Sequence, residues 1–115
     1  MGKKERDKGK RGERLLRDLL RLNGYPEARR GQQFSGTETS ADVVGVPGLH
    51  IECKFVEKCN LRAALIQAES DNGASDDFPV VFHKKEREPW VTVLDSVDFM
   101  TIYNGYRAWL EEHKS

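Results

Sequence analysis

No apolar run in this sequence approaches the ~20 residues that a helix needs to cross a bilayer, so a membrane-spanning protein is not expected. No hydrophobic segment of secretory type follows the basic start, MGKKERDKGKRG. Cysteine is scarce: Cys53 and Cys59 are the two in the chain, and they fit a reducing compartment as free thiols. A zinc site made of Cys53, Cys59 and either His50 or His83 lacks the usual ligand spacing. Internal repeats and linkers are missing too, so the 115 residues are expected to form a single domain, 1–115. These absences together predict a cytoplasmic protein.

Net charge is also absent, but the zero hides an asymmetry. Residues 1–30 hold 11 Lys/Arg against 5 Asp/Glu, and residues 31–115 hold 8 against 14, so +6 and −6 cancel. A basic start on an acidic remainder suggests a polyanionic partner, nucleic acid first, although a solvated tail that aids solubility has the same composition. Residues 1–9, nearly all charged, are expected to be a disordered basic arm.

From about Lys10 the pattern turns helical, with Gly12, Leu15, Leu16, Leu19, Leu20 and Leu22 in one wide stripe and Asn23-Gly24 as the stop. Glu13 borders that stripe, and Arg14, Arg17 and Arg21 fall on the solvated side. Residues 25–40 lack sustained periodicity; a short strand over 29–34 and then a loop are expected. Two strands, 42–46 and 49–55, flank Pro47-Gly48, a favoured pair for the centre of a type II turn. Asn60 is a candidate N-cap for a helix from 61 to about 71. Strands over 78–83 and 90–94 follow, and Asp95 or Ser96 can cap a final helix. That helix is expected to turn Phe99, Ile102, Tyr103, Tyr106, Trp109 and Leu110 inward, although with Met100 its apolar width exceeds what one sheet face readily covers and offers material for a dimer interface. The order αβββαββα predicts an α/β (α+β) sandwich with a mixed central β-sheet flanked by helices.

The stretch ADVVGVPGLHIECKF (41–55) carries the chemistry. Strand side chains alternate, so Ile51, Cys53 and Phe55 share one face and Glu52 and Lys54 the other. A two-residue turn at Pro47-Gly48 would pair residues whose numbers total an odd value, leaving Asp42 on the wrong face to meet Glu52. A three-residue loop, or a one-residue bulge for which Gly45 is the natural site, makes the total even and puts the two carboxylates on one face. Paired carboxylates are costly without a divalent cation, and hard oxygen ligands suit Mg²⁺ or Mn²⁺. A neighbouring ammonium, Lys54, can orient a water and stabilise charge on an attacked phosphate. The bland alternative is a surface ion pair between Glu52 and Lys54.

Asp42 followed by Glu52-Cys53-Lys54, with Gly45-Val46-Pro47-Gly48 between, resembles the D…E-x-K core of the PD-(D/E)XK nuclease superfamily. More narrowly, the chain resembles the small Holliday-junction-resolvase-like endonucleases carried by phages. Most of the chain takes part: a helix with Glu13 in KRGERLLRDLL, the Asp strand, the E-x-K strand, then a helix with Gln67 in LIQAES. Ala41 stands where the family name has Pro. The resemblance implies a restriction-endonuclease-like fold and a Mg²⁺-dependent DNA endonuclease selective for branched DNA. It further implies Asp42, Glu52 and the Cys53 backbone carbonyl as metal ligands, and Lys54 as the residue that positions the nucleophilic water. Glu13 would serve a second metal or its water, and Gln67 would orient Lys54 or the phosphate.

Several basic and polar residues then have a use in DNA binding. These are Lys10, Arg11 and Arg14 on the first helix; Arg29, Arg30, Gln32 and Ser40 before the Asp strand; and Lys84 and Lys85 after the fourth strand. Few aromatics are free to stack on bases, so phosphate and shape contacts should dominate. Paired cuts in a junction ask for two sites, hence a homodimer. Rival expectations are a non-catalytic nucleic-acid-binding module on the same fold, or a general nicking nuclease.

Overall fold

A computed structural model describes residues 3–31 and 41–114. Its elements follow the expected order: α1 (Lys3–Leu22), β1 (Arg29–Arg30), β2 (Val43–Val44), β3 (Leu49–Phe55), α2 (Leu61–Asn72), β4 (Phe78–Lys84), β5 (Val91–Val93) and α3 (Ser96–Glu112). The sheet runs β1-β2-β3-β4-β5. It is mixed: β3 and β4 are parallel, joined through α2, and the other neighbours are antiparallel. The protein is an α/β sandwich. No helix among the described residues is long and apolar enough to cross a membrane.

Each helical layer has its own small core. Leu16 and Leu20 of α1 pack on Ala28, Val43, Val46, Ile51 and Val80, with Cys53 and Phe82 partly buried beside them. Gly12 lets α1 come down on β3, because a Cβ there would sit 2.5 Å from the Cβ of Phe55. On the opposite face Ala64 and Ala68 of α2 lie on Val81. The predicted caps are in place: Asn60 accepts from the Ala63 N–H, and Asp95 accepts from the N–H groups of Val97 and Asp98.

Three expectations are corrected. Residues 3–9 are helical instead of an unstructured arm; Lys and Arg are good helix formers, and a helix already paid for by the Leu16/Leu20 core extends through them at little cost. Leu22 is exposed, since the chain leaves the helix there before the stripe can bury it. The largest difference lies in α3, which buries none of its side chains. Phe99, Ile102, Tyr103, Tyr106 and Trp109 are exposed, because the sheet faces beside β3 and β4 are already occupied by α1 and α2.

Candidate active site at the β2–β3 hairpin

The hairpin turn is closed by Leu49 N–H donating to the Val46 carbonyl, with Gly48 at φ 90° as a type II turn requires. Further along, Val43 pairs with Ile51, so β2 holds one more residue than β3 between the turn and that pair. The register total has become even, as the bulge predicts. Gly45 has φ 95°, and a Cβ on it would lie 2.1 Å from the Glu27 carbonyl oxygen. Only glycine fits.

Beyond Val43 the strand pairing gives way and Asp42 takes over. Its N–H donates to the Ile51 carbonyl at 2.8 Å, and its Oδ2 accepts from the Cys53 N–H, also at 2.8 Å. The carboxylate thus sits at the edge of β3, beside the residue between Glu52 and Lys54, and not in a flat cross-strand pair with Glu52. A strand residue directs its N–H and C=O to the same side. The Cys53 carbonyl therefore lies on the Asp42 edge.

Glu52 is buried, 8% exposed, and its Oε2 is 3.4 Å from Lys54 Nζ. Burial raises the Asp42 pKa to about 7, with the negative charges of Glu52 and Glu13 adding to the rise while the Cys53 N–H and Lys54 oppose it. Burial also raises Glu52, against the pull of Lys54. The Cys53 thiol is pushed up by burial and by Asp42, Glu13 and Glu52, so it stays neutral and is a packing group.

The other expected site residues are placed as follows. Glu13 lines a cleft of about 230 Å³ with Arg30, Gly31, Ala41 and Asp42. Its Oε1 is held by Arg30 Nε at 2.9 Å, which ties α1 to β1. Gln67 does not reach Lys54; it is exposed and donates to Asp71 Oδ1 at 2.9 Å. Lys10, Arg11 and Arg14 are exposed on α1, with Arg11 bridged to Glu86 at 3.1 and 3.3 Å. Arg29 is exposed and turned onto the Glu27 carbonyl. Lys84 donates to the Lys85 carbonyl. Gln32 and Ser40 lie outside the described residues.

Some neighbours were not anticipated. Asp71, one turn beyond Gln67, and His50, two residues before Glu52, both act on the Glu52 charge, Asp71 raising its pKa and His50 lowering it. Lys8 joins Arg11 and Lys84 around the Phe55 ring, at 5.0, 5.0 and 5.6 Å from its centroid. Helical phase on α1 relates Lys8 to Arg11, but nothing local in the sequence relates either to Lys84.

Among the described residues no cluster of three or more His, Cys, Asp or Glu side chains is close enough to hold a metal ion by itself. The donor set that is present, two carboxylates with raised pKa values and a backbone carbonyl, is all oxygen and short of positive charge. That chemistry fits a hard divalent cation completed by water. Glu13, engaged by Arg30, is not a free ligand.

No family model matches the chain, and no curated protein or solved structure shows significant similarity to it.

Proposed function

We propose that the chain is a divalent-metal-dependent DNA endonuclease of the PD-(D/E)XK type, acting in the cytoplasm and selective for branched DNA such as four-way junctions. The observation that carries this reading is the seating of the Asp42 carboxylate on the Cys53 N–H, beside a buried Glu52 and its Lys54 partner. A surface ion pair would need neither the burial of Glu52 nor the bulge that delivers Asp42.

Asp42, Glu52 and the Cys53 carbonyl would hold Mg²⁺, with Mn²⁺ as a substitute. When bound, the cation supplies charge neutralisation at the phosphate and a more acidic water. The protein's own side chains do the rest. Lys54 holds the attacking water by a hydrogen bond and offsets charge that builds on the phosphate in the transition state. Lys10, Arg14, Arg29 and the Lys8–Arg11–Lys84 group take the DNA backbone. With contacts of this kind, selectivity rests on the shape of the DNA more than on base identity.

The experiment is cleavage of duplex, flap and four-way-junction DNA by the purified protein with Mg²⁺. Asp42→Ala and Glu52→Ala should abolish cleavage while DNA binding persists. Lys54→Ala should lower turnover by about a hundredfold or more with little change in affinity. Full activity in either carboxylate variant would end the assignment. DNA binding without cleavage by the unaltered protein, in either metal, would favour a non-catalytic binding module.

A further inference from the structure

We propose that the chain seats an unpaired nucleobase beside its candidate active site, in the cleft between the C-terminal ends of α1 and α2. The inference rests on the nuclease reading and names what makes a branched substrate fit. The cleft follows from two Asn-Gly helix stops, Asn23-Gly24 and Asn72-Gly73, with Gly24 at φ 102° and Gly73 at φ 60°. The chain turns away at each, and the β2–β3 turn at Pro47-Gly48 forms the third wall of a cavity of about 1050 Å³. That is room for a base with its sugar, at the upper end of small-molecule sites.

The walls decide what enters. Tyr25, 42% exposed, offers an aromatic ring, and Pro26, Pro47 and Leu49 add apolar surface. Aromatic side chains are the platforms on which single-stranded bases stack. Among the described residues no Lys or Arg lines the cavity, whereas Glu27, Asp71 and Asp77 do. Phosphate is therefore kept out, and a group rich in N–H donors is favoured. Asn72 points to the same chemistry. Its Nδ2 donates to the Asp77 carbonyl at 2.8 Å, which fixes the amide and leaves Oδ1 without a donor among the described residues. His50 Nε2, on the β3 wall, has no partner there either. Cytosine, adenine and guanine carry an exocyclic amine for such acceptors, and thymine does not.

Position ties the cavity to the site. His50 and Asp71 line it and both act on the Glu52 charge. Ala41 borders both this cavity and the smaller cleft that holds Asp42. His50 and Glu52 share one face of β3, about 7 Å apart along the strand, on the scale of one nucleotide. A base held at His50 thus leaves its phosphate near Glu52. Paired bases in a stack cannot enter. A nucleotide at a branch is already unpaired, so extruding it costs least, and the cavity reads missing pairing more than sequence.

Fluorescence anisotropy of the full chain without metal tests this, on junctions that differ only in one unpaired nucleotide at the branch. Cytosine there should bind about tenfold tighter than an abasic residue, and several-fold tighter than thymine. Tyr25→Leu should remove the cytosine-over-abasic ratio, and Asn72→Leu the cytosine-over-thymine difference, both with unchanged affinity for paired duplex. Tyr25 is exposed and belongs to neither core, so its variant keeps the test intact if Asn72→Leu, which cuts the Asp77 link, fails to fold. Cleavage with Mg²⁺ is scored separately. The base preference without any cutting would support the pocket and end the nuclease reading. Cutting with equal affinity for cytosine and the abasic residue would overturn the pocket and leave the nuclease. A preference that survives both substitutions would overturn it as well, by placing the base elsewhere.

Discussion

A carboxylate that accepts a strand's backbone N–H is ordinarily held ionised by that bond, yet burial wins at Asp42 and its pKa rises to about 7. The sign of the consequence is definite. Between about pH 4 and pH 7 the folded chain keeps a proton on Asp42 that the unfolded chain has released. Stability of the metal-free protein should therefore fall as pH rises through that window, and the raised pKa of Glu52 acts in the same direction. Allowing for partial exposure of Asp42, its share is on the order of 2 kcal/mol. Urea unfolding at pH 5 and pH 8 checks this, with Asp42→Asn as the control. Asn retains an oxygen for the Cys53 N–H but cannot titrate, so it should lose its share of the slope. Millimolar Mg²⁺ should raise stability at pH 8 and do little at pH 5. A slope that is the same in Asp42→Asn would mean that Asp42 is already ionised in the folded protein.

At the scale of elements, the site depends on one glycine. Gly45 adds the residue that changes the β2–β3 register, holds a left-handed backbone, and runs against the Glu27–Ala28 backbone too closely for any Cβ. Gly45→Ala should cost a few kcal/mol, about 1–3 from the conformation alone, and the clash adds to it. Because the register and the seating of Asp42 move together, cation binding should be lost in the fraction that still folds. Urea midpoints with calorimetric titration of Mg²⁺ would read both; an alanine variant of unchanged stability and affinity would show that the bulge forms elsewhere. This part of the fold was legible from local chemistry, because Pro47-Gly48 specifies a turn and Gly45 offers the one place for an extra residue. The Asn60 and Asp95 caps were legible for the same reason. The Asp71 neighbour of Glu52 was not, since it depends on how α2 settles over β3, whereas His50, two residues before Glu52 on the same strand face, was readable from strand alternation.

For the molecule as a whole, periodicity says that a helix has an apolar face but not what covers it, which is why the sequence leaves α3 open between a core helix and an interface, and in the fold none of its side chains is buried. The charged start shows the complementary limit. Composition alone suggests a disordered arm, whereas the α1 core carries the helix back to Lys3 and sets Lys8 over Phe55, within one basic group with Arg11 and Lys84. If the chain binds DNA as proposed, the extension would take phosphates at defined positions. Deleting residues 1–9 removes Lys3, Lys4, Arg6 and Lys8 together with Glu5 and Asp7, a net loss of two positive charges. DNA affinity should fall, and the dependence of log Kd on log salt should become shallower by roughly two. Cutting of DNA at saturating protein should persist, because Asp42, Glu52 and Lys54 lie outside the deleted segment. Fluorescence anisotropy over a salt series measures the slope, and one identical to that of the full chain would reduce the extension to a solubilising helix.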